Sequence, residues 1–90
     1  MKIFISYSRA DGGDVARHVY KHLLEDGYDV FIDKENSRFG PWTDIIEQNI
    51  AMCNIFMVIV TKRALESNSV EHEVSHAQAT NRIIVPLVCS

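Results

Sequence analysis

The stretch Ile55-Phe56-Met57-Val58-Ile59-Val60-Thr61 (IFMVIVT, residues 55–61) is an unbroken apolar run of strand length, rich in β-branched residues. A strand with one wet face alternates apolar and polar residues. A run without alternation predicts a strand covered on both faces. Such strands belong to parallel sheets, whose connections cross over the faces as helices. The chain alternates accordingly in both directions. Residues 2–7 (KIFISY), 28–33 (YDVFID) and 83–89 (IIVPLVC) read as three further strands. Residues 15–24 carry Val15, Ala16, Val19, Tyr20, Leu23 and Leu24 at helical spacing, with Asp14 as the expected N-cap and Asp26-Gly27 as the stop. Residues 42–53 place Ile45, Ile46, Asn49, Ile50 and Cys53 near one face, behind Pro41 at the helix start. A third helix runs from Asn68 or Ser69 to Ala79. The order β-α-β-α-β-α-β predicts an α/β fold, a three-layered, doubly wound parallel sheet of flavodoxin-like order.

Ligands of such sheets bind beyond the carboxyl ends of the strands, where the strand order reverses. Here that point lies between the first and third strands, so loops 8–13, 34–41 and 62–68 are the ones to watch. The fourth strand is an uncharged apolar edge, which Pro86 blunts only in part. Natural sheets protect such edges. The expectation is one domain over residues 1–90 that is truncated after the fourth strand, or an edge covered by another copy.

Composition narrows the function classes. Ninety residues make one domain at most, and 47% apolar with 23% charged residues is ordinary for a globular chain. A net charge of -3 gives no general attraction to nucleic acid or to an anionic membrane. No apolar run approaches a membrane span and the N-terminus lacks a signal-peptide layout, which points to the cytoplasm. Cys53 and Cys89 lie in apolar segments without metal-ligand spacing and read as reduced core thiols.

One motif argues for zinc. His72-Glu73-Val74-Ser75-His76 fits H-E-x-x-H, which on a helix puts two imidazoles and a general base together. On a helical wheel, however, Val70, Val74 and Ala77 share the buried face, so His72 and His76 are expected to face solvent. Downstream of His76 there is no Asp, Glu or His as a third ligand; the extended motif meets Ala79 and Arg82. His18 and His22 form another i, i+4 pair on a different helix. The metal reading is set aside, and Glu73 remains, at the border of the buried face. Partial burial there raises a carboxylate pKa and makes it useful, although such boundary residues also serve structural hydrogen bonds.

Taken together, several segments resemble the Toll/interleukin receptor (TIR) domain family of prokaryotic type. IFISYSRAD is similar to its first strand and loop. GYDVFIDKENSRFGPW resembles the second strand and long second loop. NIFMVIVTKRALESNSVEHEV resembles the third strand, a Ser-ended loop and a helix bearing a Glu; RIIVPLV resembles the fourth strand. The resemblance covers nearly the whole chain in order. It implies a TIR fold whose last helix and strand are missing here. It also implies one of two functions: cleavage of NAD+ at the nicotinamide–ribose bond by an NAD+ glycohydrolase or cyclase active on self-association, or a non-catalytic TIR–TIR interaction module. An effector role in innate immune defence or signal transduction follows from the same resemblance.

For the enzyme, the resemblance implies Glu73 as the catalytic residue. Tyr7, Ser8 and Arg9 would line the nucleotide site, Trp42 would stack on the substrate, and Gly40 would let the loop approach it. No cofactor and no metal are implied; NAD+ is the substrate and other TIR domains are the partners, through loop 34–41. Each of these residues also has a plainer reading: Trp42 as a core residue at the helix start, Arg9 as a solvated loop residue, Tyr7 as packing. The chain departs from the pattern at Ser69, where many members carry an aromatic, and near Arg38, where some enzymes carry an acid. A phospho-receiver domain shares the fold but needs an Asp ending the third strand, where this chain has Val60-Thr61-Lys62.

Overall fold

In the computed structural model, IFMVIVT forms strand β3 (Ile55–Val60) and its neighbours pair with it in parallel. The structure describes residues 1–32 and 41–89, with the backbone alone for residues 41–43. The elements run β1 (Lys2–Ser6), α1 (Gly13–Glu25), β2 (Asp29–Ile32), α2 (Pro41–Met52), β3, α3 (Lys62–Glu66), α4 (Asn68–Ala79) and β4 (Ile83–Val88). The sheet order is β2-β1-β3-β4, all parallel. The four predicted strands and three predicted helices are present within a residue or two of their expected ends. The order reverses between β1 and β3, as the flavodoxin-like reading requires.

The two faces carry separate cores. On one, Phe4, Phe56 and Val58 meet Ile46, Ile50 and Cys53 of the α2 region and Val70 and Ala77 of α4. On the other, Ile3, Ile5, Ile32 and Ile59 meet Ala16 of α1. Alternation along β1 explains the division: odd residues face α1 and even residues face α2 and α4. The register places Phe4 opposite Phe31 on β2 and Phe56 on β3. Their rings stack at 5.3 Å on each side, a row of three aromatics that ties the central strands together.

Two local expectations are corrected. Residues 62–66 are not loop but the short helix α3, whose first turn is capped by the Thr61 hydroxyl accepting from Ala64 N. One turn is too brief to show an apolar period, and the cue was Thr61 itself. Helix α1 begins at Gly13 behind Gly12, without a side-chain cap; Asp14 sits in the first turn and pairs with Arg17 on the surface. Gly12 is buried, and a Cβ there would stand 3.0 Å from the Ser8 carbonyl, so a larger cap would have to push that backbone aside. Helix α4 keeps its expected span; it is capped by the Ser67 hydroxyl accepting from Val70 N and ends at Ala79, and Asn81, just past the C-cap Thr80, takes the left-handed conformation at φ 58.

Strand β4 is the edge of this sheet, and Ile83, Val85, Leu87 and Val88 are exposed. Pro86, which cannot donate a ladder hydrogen bond, lies on this edge.

Candidate active site

Glu73 is the buried titratable residue of α4. The helix lies across β1 and β3, and its Val70, Glu73 and Ala77 face the sheet. The wheel had placed Glu73 at the border of this face; the structure buries it, with 5% of its surface exposed. A hydroxyl meets it there. Ser6, the last residue of β1, is fully buried on the same sheet face, and its Oγ donates to Glu73 Oε1 at 2.6 Å. A carboxylate this deep costs several kcal/mol unless hydrogen bonds meet it. The hydroxyl at the strand end offsets part of that cost. Ser6 pairs in register with Val58 of β3, so the carboxylate stands at the carboxyl end of the strands, between β1 and β3. That is the reversal point.

The loops flanking this point are joined. Asp11, after β1, accepts from Thr61 Oγ1 at 2.6 Å, just past β3, and from Arg63 N at 3.1 Å, in the first turn of α3. The Thr61 hydroxyl holds the Asp11 carboxyl below its ordinary range, with the Arg63 amide and charge assisting. Thr61 thus donates to Asp11 while it caps α3. Ser8 shapes the same loop: its Oγ accepts from Ala10 N at 3.3 Å and its carbonyl accepts from Gly12 N at 2.8 Å.

The other residues expected at the site divide. Ser8 is buried in the first loop and Arg9 is exposed on it. Tyr7 packs against the α1-side core, the face opposite Ser6 and Glu73. Gly40 and the Trp42 side chain lie outside the described residues, as does Arg38. Ser6, Asp11 and Thr61 were not expected at the site. The available signal was a hydroxyl ending an otherwise apolar strand, Ser6 after Ile3-Phe4-Ile5 and Thr61 after Ile59-Val60.

The H-E-x-x-H side chains diverge. Glu73 turns into the sheet, whereas exposed His72 meets Glu47 of α2, with Nε2 and Oε2 2.9 Å apart. His76 is half-buried rather than solvent-facing, which corrects the wheel. Arg82, where the extended zinc motif would want His, donates instead to the Thr80 and Cys53 carbonyls. Among the described residues no three His, Cys, Asp or Glu side chains come together as a metal ligand set. Cys53 and Cys89 are free thiols; burial pushes the Cys53 thiol up.

A doubly wound parallel sheet with a buried carboxylate at its reversal point defines the class of the molecule. The sequence profile of the TIR domain matches residues 3–90, and the chain belongs to that family. It is 27% identical over 96 residues to a Drosophila melanogaster protein named NAD(+) hydrolase sarm1, spanning 98% of this chain and 7% of that one. Among solved structures, the TIR domain of the Toll-related receptor TRR-2 from Hydra magnipapillata superposes with a TM-score of 0.76 at 16% identity, over 93% of this chain and 66% of that one. The TIR domains of the activated Roq1 resistosome, which recognises the pathogen effector XopQ, give 0.80 at 22% identity, over 97% and 56%. The Clostridium botulinum CMP N-glycosidase BcmB gives 0.74 at 19% identity, over 98% and 69%. These superpositions establish the fold.

Proposed function

We propose that this TIR domain cleaves NAD+ at the bond between nicotinamide and ribose, with Glu73 as the catalytic residue. The observation that carries the reading is the buried Glu73 carboxylate, hydrogen-bonded at the carboxyl end of β1 where sheets of this class take their ligands. The Drosophila relative's name supports the choice of substrate.

The chemistry suits a single carboxylate. Nicotinamide leaves as a neutral base, taking the electron pair of the C1′–N bond, so no general acid is needed. Positive charge develops on the ribose as an oxocarbenium-like centre, as in glycoside cleavage. Glu73 opposes that charge, or traps it as a covalent ester. Water then adds at C1′ and loses a proton, giving ADP-ribose; attack by an adenine ring nitrogen gives a cyclic product instead. Arg9 meets the phosphates. Trp42 stacks on the substrate and Gly40 gives the loop room. NAD+ is consumed as substrate, and neither cofactor nor metal enters the reaction. Self-association with other TIR domains through residues 34–41 activates the site.

A second reading, a non-catalytic TIR–TIR interaction module, draws on the exposed apolar residues of β4. The two separate in one assay. Nicotinamide release from NAD+ at high protein concentration, insensitive to EDTA, supports cleavage. A folded, self-associating protein that releases none supports the module.

A further inference from the structure

Ser6 occupies a position that the surrounding pattern reserves for an apolar side chain. Ile3, Phe4 and Ile5 before it are buried, its cross-strand partner Val58 is buried, and Ser6 itself is fully enclosed. A hydroxyl in such a place lowers stability unless it is hydrogen-bonded. Serine carries one O–H donor. That donor goes to Glu73 Oε1 at 2.6 Å, the short distance typical of a hydroxyl on a carboxylate. The two partners lie 67 residues apart in the chain, so the bond spans from strand to helix.

The two ends of this bond differ in rigidity. Glu73 hangs from a helix by three rotatable side-chain bonds, whereas Ser6 hangs by one from a strand paired on both sides, to β2 and to β3. The strand therefore fixes the carboxylate rather than the reverse. We infer that Ser6 is a positioning residue for the reaction: its hydroxyl holds the Glu73 carboxylate in the one orientation in which it faces the ribose. This inference rests on the cleavage reading and adds to it a residue outside the nucleotide-lining set of Tyr7, Ser8 and Arg9. It also explains why a polar side chain ends β1 beneath α4.

The test compares wild type, Ser6→Ala and Ser6→Thr in steady-state nicotinamide release from NAD+, with thermal melts alongside. Ser6→Ala removes the donor without adding volume, and Ser6→Thr keeps it. A loosened carboxylate predicts that kcat in Ser6→Ala falls roughly ten- to a hundredfold. KM should hold within about twofold, because the lost interaction acts after binding. Ser6→Thr should recover most of the rate. Where either variant melts early, Ser6→Cys, close to serine in shape with a weak donor, should fall between wild type and Ser6→Ala. Wild-type kcat in a folded Ser6→Ala, or a loss confined to KM, overturns the inference while leaving cleavage intact. A wild-type protein that folds but releases no nicotinamide overturns the cleavage reading, and the positioning role with it.

Discussion

At the scale of single residues, two of the described carboxylates stand near the reversal point and are held differently. Glu73 is buried against a hydroxyl, and Asp11 is exposed and tied to a hydroxyl and a backbone amide. Asp11 gives a pH prediction. Its folded-state pKa is depressed, so its contribution is present above the unfolded value, from about pH 4 upward. The contribution disappears as pH falls through the lower folded value. Thermal melts should show wild type above Asp11→Asn at neutral pH, with the gap closing below about pH 4. A gap constant across that range would remove Asp11 as the tie between the loops. His72 gives the opposite kind of prediction. Its pairing with Glu47 is exposed, so His72→Ala should change stability by about 0.5 kcal/mol or less. Nicotinamide release should stay unchanged; a large loss would reopen the zinc reading. Of these residues, Glu73 was legible in the sequence because helix periodicity brought it near the buried face. Its depth was not, because the wheel shows direction but not which hydroxyl waits beneath. Ser6 and Asp11 act across 67 and about 50 positions, and no local pattern encodes those pairings.

Elements were more legible than residues where they are long and periodic. IFMVIVT announced a strand buried on both faces, and α1, α2 and α4 followed from apolar spacing over three turns. Helix α3 escaped because five residues hold barely one turn. The start of α1 was misplaced because its entry is set by the close fit of Gly12 against Ser8, a backbone contact without a side-chain signature. The aromatic row also required the register, since Phe4, Phe31 and Phe56 are far apart in the chain and meet only across the sheet. Phe4 is its middle member and fully buried. Phe4→Ala should cost about 3–5 kcal/mol, and Phe4→Leu less, read as denaturant midpoints. A loss near zero for Phe4→Ala would mean that the row does not hold the central strands.

At the scale of the whole molecule, a parallel order of β2-β1-β3-β4 forces the chain to change direction between β1 and β3. Helix α1 then covers one face and the helices after β2 and β3 the other. The two loops leaving β1 and β3 diverge over opposite faces, and the Asp11 tie spans them. The site is thus a consequence of topology, and the residues there supply its chemistry. No helix among the described residues is long and apolar enough to cross a membrane. The central claim is that Glu73 carries the chemistry at this point. The measurement that tests it most directly is nicotinamide release from NAD+ by wild type and Glu73→Gln at equal, high concentration, with thermal melts alongside. Gln keeps the shape and an acceptor for Ser6 while removing the charge. The account predicts release by wild type and a loss of roughly 10²- to 10⁴-fold in a variant that still folds. Equal release by the two proteins would contradict it.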